Sequence, residues 1–258
     1  MDPEMVGNYR SAHIPNSYKN GVADGVDEVV KSVRYQIKYG AKVIKAGATA
    51  GVLSHESTVG AQQYSFEELK AMVNEAARHG VYVSVHAHGT QGINDAIKAG
   101  VRSIEHGSLL SDESIRLMKE KGTYLVPTSY LGYAINYDML PNDIRQKAEY
   151  VIPKARKSLE KAIQAHVKIV FGTDTPVFPH GDNAKEFSAL VKRGMSPIDA
   201  IRTSTTNAAE MMDIKNRGQI KIGMLADIIG VEGDPMTNIT VLEKVKFVMK
   251  TGRTYKDS

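Results

Sequence analysis

The stretch that decides the fold is Val81–Gly107, with the sequence VYVSVHAHGTQGINDAIKAGVRSIEHG. Its pattern predicts a β-strand that ends at His86 and His88, then a short helix, then a second strand that ends at His106. Two successive βα units of this kind are typical of a parallel α/β fold, in which ligands and catalytic groups gather at the carboxyl edge of the sheet. Imidazoles that different strands bring together at this edge are a common way to build a catalytic metal site.

The remaining sequence repeats this β-then-α order. The spacing predicts a parallel sheet with helices outside, of the (β/α) TIM-type barrel class. Strands are predicted at Ala41–Ala46, Val81–His86, Arg102–Glu105, Thr123–Pro127 and Val167–Gly172. Helices are predicted at Asp24–Tyr39, Phe66–His79, Gly92–Ala99, Asp112–Lys121, Asn142–Ala165, Asn183–Arg193, Pro197–Ser204 and Asn207–Met212.

Five strands are too few for a complete eight-stranded barrel, so either the barrel is incomplete or further strands lie within residues 1–23. The open edges of an incomplete barrel would favour self-association or instability. Residues 1–23 are irregular and are predicted to form a loop or an exposed arm. From Gln219 onward the sequence alternates and turns like short antiparallel strands. We therefore expect a barrel portion at residues 1–214 and a small β-domain segment at residues 215–258.

The composition excludes several classes of protein. Apolar residues make up 42% of the 258 residues and charged residues 24%, and no run approaches the ~18 apolar residues that a membrane span needs. The net charge of +4 is spread along the chain, which favours solvated helix faces over a nucleic-acid-binding patch. Cysteine is absent, so neither disulfides nor thiolate ligands are expected. Residues 1–19 lack the apolar core of a signal peptide, which favours a cytoplasmic location.

Lys45 lies at the carboxyl end of the first predicted strand, and lysine is seldom buried without a partner. Three chemical fates are open to it: an ion pair, a Schiff-base nucleophile, or a carbamate formed with carbon dioxide, which can bridge two cations. A lysine that extends to the rim of the barrel is the structural alternative. The Gly- and Ser-rich segment that follows, GATAGVLSHESTVGAQQY, is too long for a simple connection and is a candidate functional loop.

His86 and His88 are two residues apart on a strand, so both side chains should face the same side. One can bind a metal while the other meets the substrate; two hydrogen-bonded rim histidines are the alternative. His106 stands at the end of the next strand. A second strand-end histidine in the adjacent unit favours the metal site.

Asp174 ends the apolar run that leads to it, where a carboxylate can bind a cation and accept a proton from its bound water. It could equally cap a turn. His180 and Asn183 follow on the same loop, where they could contact substrate or orient Asp174, or Asn183 could cap the next helix. Tyr130 could line the pocket or pack as a loop aromatic.

In combination these motifs resemble the amidohydrolase superfamily, in particular the imidazolonepropionase-related branch that includes Xaa-Pro dipeptidases (prolidases) and arginine carboxypeptidases with a carboxylated lysine. The resemblance runs from about Gly25 to the C-terminus. It rests on GAKVIKAGATAGVLS, on the opening stretch, on FGTDTPVFPHGDNAKEF, and on IRTSTTNAAEMM followed by GQIKIGMLADIIGVEGDP. It implies that residues 215–258 belong to a small β-sandwich.

The resemblance implies that Lys45 is a carboxylated bridging ligand, that His86 and His106 are histidine ligands, and that Asp174 is both a metal ligand and the general base. His88 would contact the scissile carbonyl or the substrate carboxylate. The implied cofactors are one or two zinc ions and the carbon dioxide of the lysine carbamate. The implied reaction is hydrolysis of an amide bond in a small-molecule substrate, a dipeptide or an N-acyl amino acid. His180 and Tyr130 would belong to the substrate pocket.

One departure from the family pattern stands out. The first barrel strand of the family carries a His-x-His pair that binds one metal, and no such pair precedes Lys45; His13 is the only earlier histidine. The resemblance therefore implies a chain without the N-terminal part of the barrel, in which Lys45, His86 and His106 can still form a half-site. Two alternatives stay open: a non-catalytic remnant or association scaffold, and a Schiff-base lyase that uses Lys45.

Overall fold

The computed structural model describes residues 17–54 and 58–258. His13 and most of the predicted arm lie outside the described residues. The chain divides into two compact units: the first comprises the described residues up to Leu125 together with Tyr137–Ser158, and the second comprises Val126–Asn136 and Leu159–Ser258. The predicted domain boundary between residues 214 and 215 stays a prediction.

Helices and strands alternate through the first half of the chain. Their order is α1 (Gly25–Lys38), β1 (Val43–Gly47), α2 (Phe66–Arg78), β2 (Tyr82–Ala87), α3 (Thr90–Ala99), β3 (Ser103–His106), α4 (Asp112–Lys121) and β4 (Tyr124–Val126). The strands form one sheet in the order β1-β2-β3-β4, and β1 with β2 and β2 with β3 pair in parallel. This parallel α/β core confirms the predicted fold class and is consistent with part of a (β/α) barrel.

Local sequence signals explain where these elements begin and what they bury. Helix α2 begins at a capping box, in which Ser65 Oγ accepts a hydrogen bond from Glu68 N at 3.3 Å while the Glu68 carboxylate accepts from Ser65 N at 2.7 Å. The sheet contributes Val83, Val85 and Ile104 to a core in which none of them is more than 2% exposed. Val83 and Val85 are two residues apart and Ile104 pairs with Val85, so these branched residues cover one face of the sheet. The opposite face carries polar residues such as Ser84 and Ser103.

Helices α1 and α2 are joined by the carboxylate of Glu75, whose side chain is 4% exposed. It accepts hydrogen bonds from Arg34 Nε at 2.7 Å and Arg78 Nη1 at 3.1 Å, and His79 Nε2 lies 3.3 Å away. The hydrogen bond from Arg34, more than any other contact, lowers the pKa of Glu75 below its ordinary value of 4.5.

We expect Glu75→Gln to lower the free energy of unfolding by about 1–2 kcal/mol at pH 7, because a buried carboxylate with charged donors is lost. Since the folded-state pKa is lowered, this stabilisation is present above pH 4.5 and is lost as the pH falls below that value. Urea unfolding at pH 7 and near pH 3 measures both effects. The control is Glu120→Gln, at an exposed pair with Arg116, which should cost less than ~0.5 kcal/mol. An equal loss in both variants would contradict the prediction.

The later elements are helical first and then antiparallel. They are α5 (Leu131–Ala134), α6 (Asn142–Gln164), α7 (Lys185–Lys192), α8 (Pro197–Ser204), α9 (Thr206–Met211), β5 (Ile228–Val231), β6 (Val245–Lys250) and β7 (Arg253–Asp257). Strands β5, β6 and β7 form a three-stranded antiparallel sheet, which confirms the predicted β-region. None of the described helices is long and apolar enough to cross a membrane.

The strand predicted at Val167–Gly172 is wrong, because only Ile169 has bridge-type pairing there. Its residues Val167, Ile169 and Val170 are buried, as the apolar sequence indicated, but two of its backbone groups bond to helices. Phe171 N donates to Thr203 O at 3.1 Å, and Ile169 O accepts from Asn207 Nδ2 at 2.9 Å. An apolar run predicts burial but does not decide which partner takes its backbone hydrogen bonds.

Candidate metal centre

Three histidine rings lie together at the carboxyl ends of β2 and β3. The ring centroids of His86 and His88 are 4.6 Å apart, those of His86 and His106 are 4.7 Å apart, and those of His88 and His106 are 4.9 Å apart. One ligand nitrogen from each ring lies within 4.8 Å of the other two. The three imidazoles are therefore close enough to bind one metal ion, and His86 and His88 do face the same side.

His106 reaches this cluster through an unusual backbone turn. The register pairs His86 with Glu105, so strict alternation along β3 would place Glu105, rather than His106, on the face of His86. The φ of His106 is 67° and that of Gly107 is 59°. This left-handed turn ends the alternation and places the His106 ring beside His86. A residue other than glycine is seldom left-handed, and such positions cluster at functional sites.

His88 is oriented by two hydrogen bonds. Its backbone N–H donates to Thr49 Oγ1 at 2.8 Å, and its ring Nδ1 bonds with Ser108 Oγ at 2.7 Å. Because Nδ1 is engaged, Nε2 is the nitrogen that is available to a metal or a substrate. The loop after β1 thus holds His88 at its backbone, and the turn after β3 holds it at its ring.

Burial keeps the three imidazoles uncharged at neutral pH. It lowers the pKa of His86 to about 4, with a smaller contribution from the charge of Lys45, and that of His88 to about 3, with a smaller contribution from His86. The pKa of His106 is also lowered, mainly by burial and then by the neighbouring histidines and Lys45. Uncharged imidazole is the form that binds a metal, so no proton has to be displaced.

The residues present fit a metal ion. His86 Nε2 and Ser54 Oγ are buried, and neither has a hydrogen-bond partner among the described residues. A Cβ at Gly51 would lie 3.6 Å from His86 Nε2 and 2.9 Å from Ser54 Oγ, so the glycine leaves the space before both atoms open. A cation with its bound water would satisfy them, and imidazole donors suit zinc. The sequence prediction missed Ser54 and Gly51, although it did select their loop by its length.

We expect Gly51→Ala to weaken zinc binding by about tenfold, the lower end of the effect of disturbing a residue next to a metal site. The new methyl group would fill the space before His86 Nε2 and displace Ser54. Zinc titration with a chromogenic competitor measures the affinity. The control is Gly47→Ala on β1, where a Cβ would meet nothing within 4 Å. Unchanged zinc affinity in Gly51→Ala, or an equal loss in the control, would contradict this account.

Lys45 lies on β1 opposite Ser84 of β2 and is exposed. Its charge lowers the pKa of both His86 and His106, so its ammonium group is near the cluster. Lys45 forms no ion pair within residues 17–54 and 58–258. An ion pair with one of these residues is therefore ruled out. The carbamate, the Schiff base and a lysine at the rim stay open.

The other predicted site residues lie in the second unit, and their roles stay predictions. Asp174 is left-handed, with φ 56°, and is exposed. Asn183 Nδ2 donates to Thr173 Oγ1 at 3.0 Å and to Thr175 Oγ1 at 3.4 Å. Asn183 therefore braces the loop that carries Asp174. Asn183 does not cap α7, because the N-cap residue of that helix is Ala184, which makes no side-chain hydrogen bond.

The aromatic candidate, Tyr130, is half-buried against the same loop region of the second unit. Its ring meets Phe178 edge-on at 5.0 Å between centroids, and Lys185 Nζ lies 5.6 Å from its ring centroid. His180 is exposed and begins a single 3-10 turn. The structure thus brings Tyr130 into an organised cluster and leaves His180 on the surface.

Comparison with known proteins gives consistent matches. A sequence model of the amidohydrolase family matches residues 1–255. Ochratoxinase of Aspergillus niger is 41% identical over 244 residues, which cover 91% of this chain and 50% of that protein. A crystal structure of a Xaa-Pro dipeptidase with bound methionine in the active site has a TM-score of 0.93 and 40% identity, covering 98% of this chain and 64% of that one.

A prolidase complexed with N-methylphosphonate-L-proline has a TM-score of 0.83 and 32% identity, covering 93% of this chain and 62% of that one. These matches confirm the resemblance that the sequence motifs predicted. The chain spans about half the length of curated relatives that it matches.

Proposed function

We propose that this chain, which belongs to the amidohydrolase family, is a metal-dependent hydrolase that cleaves the amide bond of a dipeptide or an N-acyl amino acid. The observation that carries the proposal is the cluster of His86, His88 and His106, in which His88 is buried, the other two are half-buried, and His86 Nε2 has no hydrogen-bond partner among the described residues. The similarity to a Xaa-Pro dipeptidase and to a prolidase with a bound proline phosphonate supports the substrate class.

His86 and His106 are the proposed histidine ligands, and Lys45 is proposed to join them as a carbamate. A bound zinc ion would supply polarisation of the scissile carbonyl and a lowered pKa for the attacking water. Asp174 is proposed, from its FGTD motif, as a ligand and as the base that takes the proton of the water and passes it to the leaving amine. His88 would donate a hydrogen bond to the substrate from Nε2.

Tyr130 and His180 would complete the pocket for the small-molecule substrate. They are proposed because each follows the end of a predicted strand. A cytoplasmic location and self-association stay predictions. No nucleic-acid partner and no membrane partner are proposed, because the positive charge of the chain is dispersed.

The test is metal content and hydrolysis measured on the same preparation. Protein prepared with zinc and bicarbonate is analysed for zinc per chain, then assayed for proline release from a panel of Xaa-Pro dipeptides and for amine release from N-acyl amino acids. We expect at least one zinc per chain and hydrolysis that a chelator abolishes. In Lys45→Ala, both should fall. Folded protein that binds no zinc would overturn the proposal.

A second candidate is the non-catalytic scaffold, which the sequence motifs leave open. Zinc bound without hydrolysis of any substrate in the panel would favour this candidate. If the chain is instead a Schiff-base lyase, borohydride should trap a carbonyl substrate on Lys45. Mass spectrometry of the trapped protein separates the lyase from both other candidates.

A further inference from the structure

Glu186 is a buried acid that the proposed chemistry does not use. It lies on α7 and is 0% exposed. A carboxylate is almost never buried completely unless its oxygens are paired. Here both oxygens are paired with backbone: Ser129 N donates to Oε1 at 2.8 Å and Tyr130 N donates to Oε2 at 2.5 Å. The contact joins positions 56 and 57 residues apart in the sequence.

The same helix also contacts the side chain of Tyr130. Lys185 Nζ lies 5.6 Å from the centroid of the Tyr130 ring, and Asp182 holds the ammonium group of Lys185 at 2.9 Å. The pKa of Lys185 is raised, first by its bond with Asp182 and then by its bond with Tyr130. Phe178 meets the same ring edge-on. Tyr130 is therefore held at its backbone by Glu186 and at its ring by Lys185 and Phe178.

A glutamate at this place needs an explanation, because burial of an acid is unfavourable. Burial raises the pKa of Glu186 to about 8, and the two backbone N–H donors oppose this effect. The ionised form, which offers two acceptors, therefore predominates above that pH, so Glu186 and its variants are compared at about pH 9. Two adjacent N–H groups that point the same way need two acceptors, and a carboxylate supplies them side by side. Glutamine supplies one acceptor and would turn its NH₂ group towards the second N–H. The chemistry of the contact thus selects glutamate for two-point attachment of the loop.

We propose that Glu186 is a positioning residue, whose carboxylate fixes the loop after β4 so that the Tyr130 side chain is presented to substrate at a set place. The substrate contact of Tyr130 rests on the proposed function, but the attachment of the loop does not. The role can therefore be tested with and without a substrate.

The chain contains no tryptophan, so Tyr130→Trp creates a single fluorescent reporter on this loop. We expect Glu186→Gln to raise acrylamide quenching of the Tyr130→Trp reporter at least twofold and to lower its anisotropy. A second reporter, Phe247→Trp on β6, shows whether the unit as a whole has loosened, and should not change. The control substitution is Glu243→Gln, because the exposed Glu243 accepts a hydrogen bond from Ser188 of the same helix at 3.2 Å.

Equal quenching of the Tyr130→Trp reporter with and without Glu186→Gln would overturn the proposal. So would an equal change at both reporters, which means general loosening. If Glu186→Gln does not fold, amide exchange in the unsubstituted protein decides the matter: Ser129 and Tyr130 should be protected, and rapid exchange of both amides would overturn the proposal.

The kinetic test uses the best dipeptide of the panel. We expect Glu186→Gln to raise KM at least fivefold while kcat stays within twofold, and Glu243→Gln to change neither. A fall in kcat alone would overturn the positioning role. If no substrate is hydrolysed by any variant, the proposed function fails, whereas the reporter and exchange measurements still decide the role of Glu186.

Discussion

Replacing His106 with alanine is expected to weaken zinc binding by more than about 100-fold, since disturbing a residue that only supports a ligand already costs about 10–100-fold. The substitution removes one of three imidazoles whose ligand nitrogens lie within 4.8 Å of one another. Hydrolysis of the best substrate should disappear with the metal. His86→Ala should behave in the same way, because His86 Nε2 is the unsatisfied nitrogen that faces the open space beside Gly51.

His88→Ala separates two readings of the cluster. If His88 contacts the substrate, as the family resemblance implies, His88→Ala should keep its zinc and lose most of its activity. If all three histidines bind the metal, as their spacing allows, His88→Ala should lose zinc as His106→Ala does. Elemental analysis and competitive zinc titration distinguish the two results.

The control is His79→Ala, because His79 lies outside the cluster, with 42% of its side chain exposed. It should keep both zinc and activity. Full zinc content in both His86→Ala and His106→Ala would contradict the candidate site. A loss of zinc in the control would mean that the variants report general unfolding instead.

Replacing Gly89 with alanine is expected to lower the free energy of unfolding by about 2–3 kcal/mol, the upper part of the range for inserting a methyl group into a packed place. A Cβ at Gly89 would lie 2.1 Å from the carbonyl oxygen of Gly60. The backbone of Gly89 has φ −76° and ψ 138°, which alanine adopts without strain. The cost therefore comes from the contact alone.

The displaced segment is the long loop after β1, which folds back on itself. Ala50 N donates to Ala61 O at 2.7 Å, and Gln63 N donates to Ala48 O at 2.9 Å. The loop also carries Thr49, which accepts the hydrogen bond from His88 N. Gly89→Ala should therefore weaken zinc binding as well as stability, and urea unfolding with and without zinc measures both.

Gly181→Ala is the matched control, because a Cβ there would meet nothing within 4 Å. We expect its stability to stay within ~0.5 kcal/mol of the unsubstituted protein, as for most surface substitutions. If Gly89→Ala unfolds at the same urea concentration as the control, the loop accommodates the new methyl group without a loss of stability. The loop would then not be held against the end of β2.

The features that the sequence predicted well are those that depend on nearby residues. Ser65 and Glu68 form a capping box within three positions, and the structure has α2 begin there. Helix α4 has the predicted bounds, Asp112 to Lys121. Histidines at the ends of two successive strands were also predictable, because parallel strands end at one edge of a sheet.

The features that the sequence did not predict depend on distant partners. The segment Val167–Gly172 is as apolar as a strand, yet Phe171 N bonds to α8 and Ile169 O bonds to α9. Ser54 and Gly51 gave no signal beyond the composition of their loop, because their importance lies in the space at Gly51, where a Cβ would meet both Ser54 Oγ and His86 Nε2. Glu186 resembled an ordinary polar position of a helix, since its two partners are 56 and 57 residues earlier in the chain.

The sequence by itself determined that this protein is a parallel α/β chain of the amidohydrolase family with histidines at two adjacent strand ends, because periodicity and short motifs are local. Only the tertiary structure decided that these histidines form one cluster, in which His88 is buried and the other two are half-buried. The left-handed turn at His106 breaks the alternation of β3, and the burial of the three rings keeps them uncharged. Both effects arise from packing between strands and loops, which no single stretch of sequence contains.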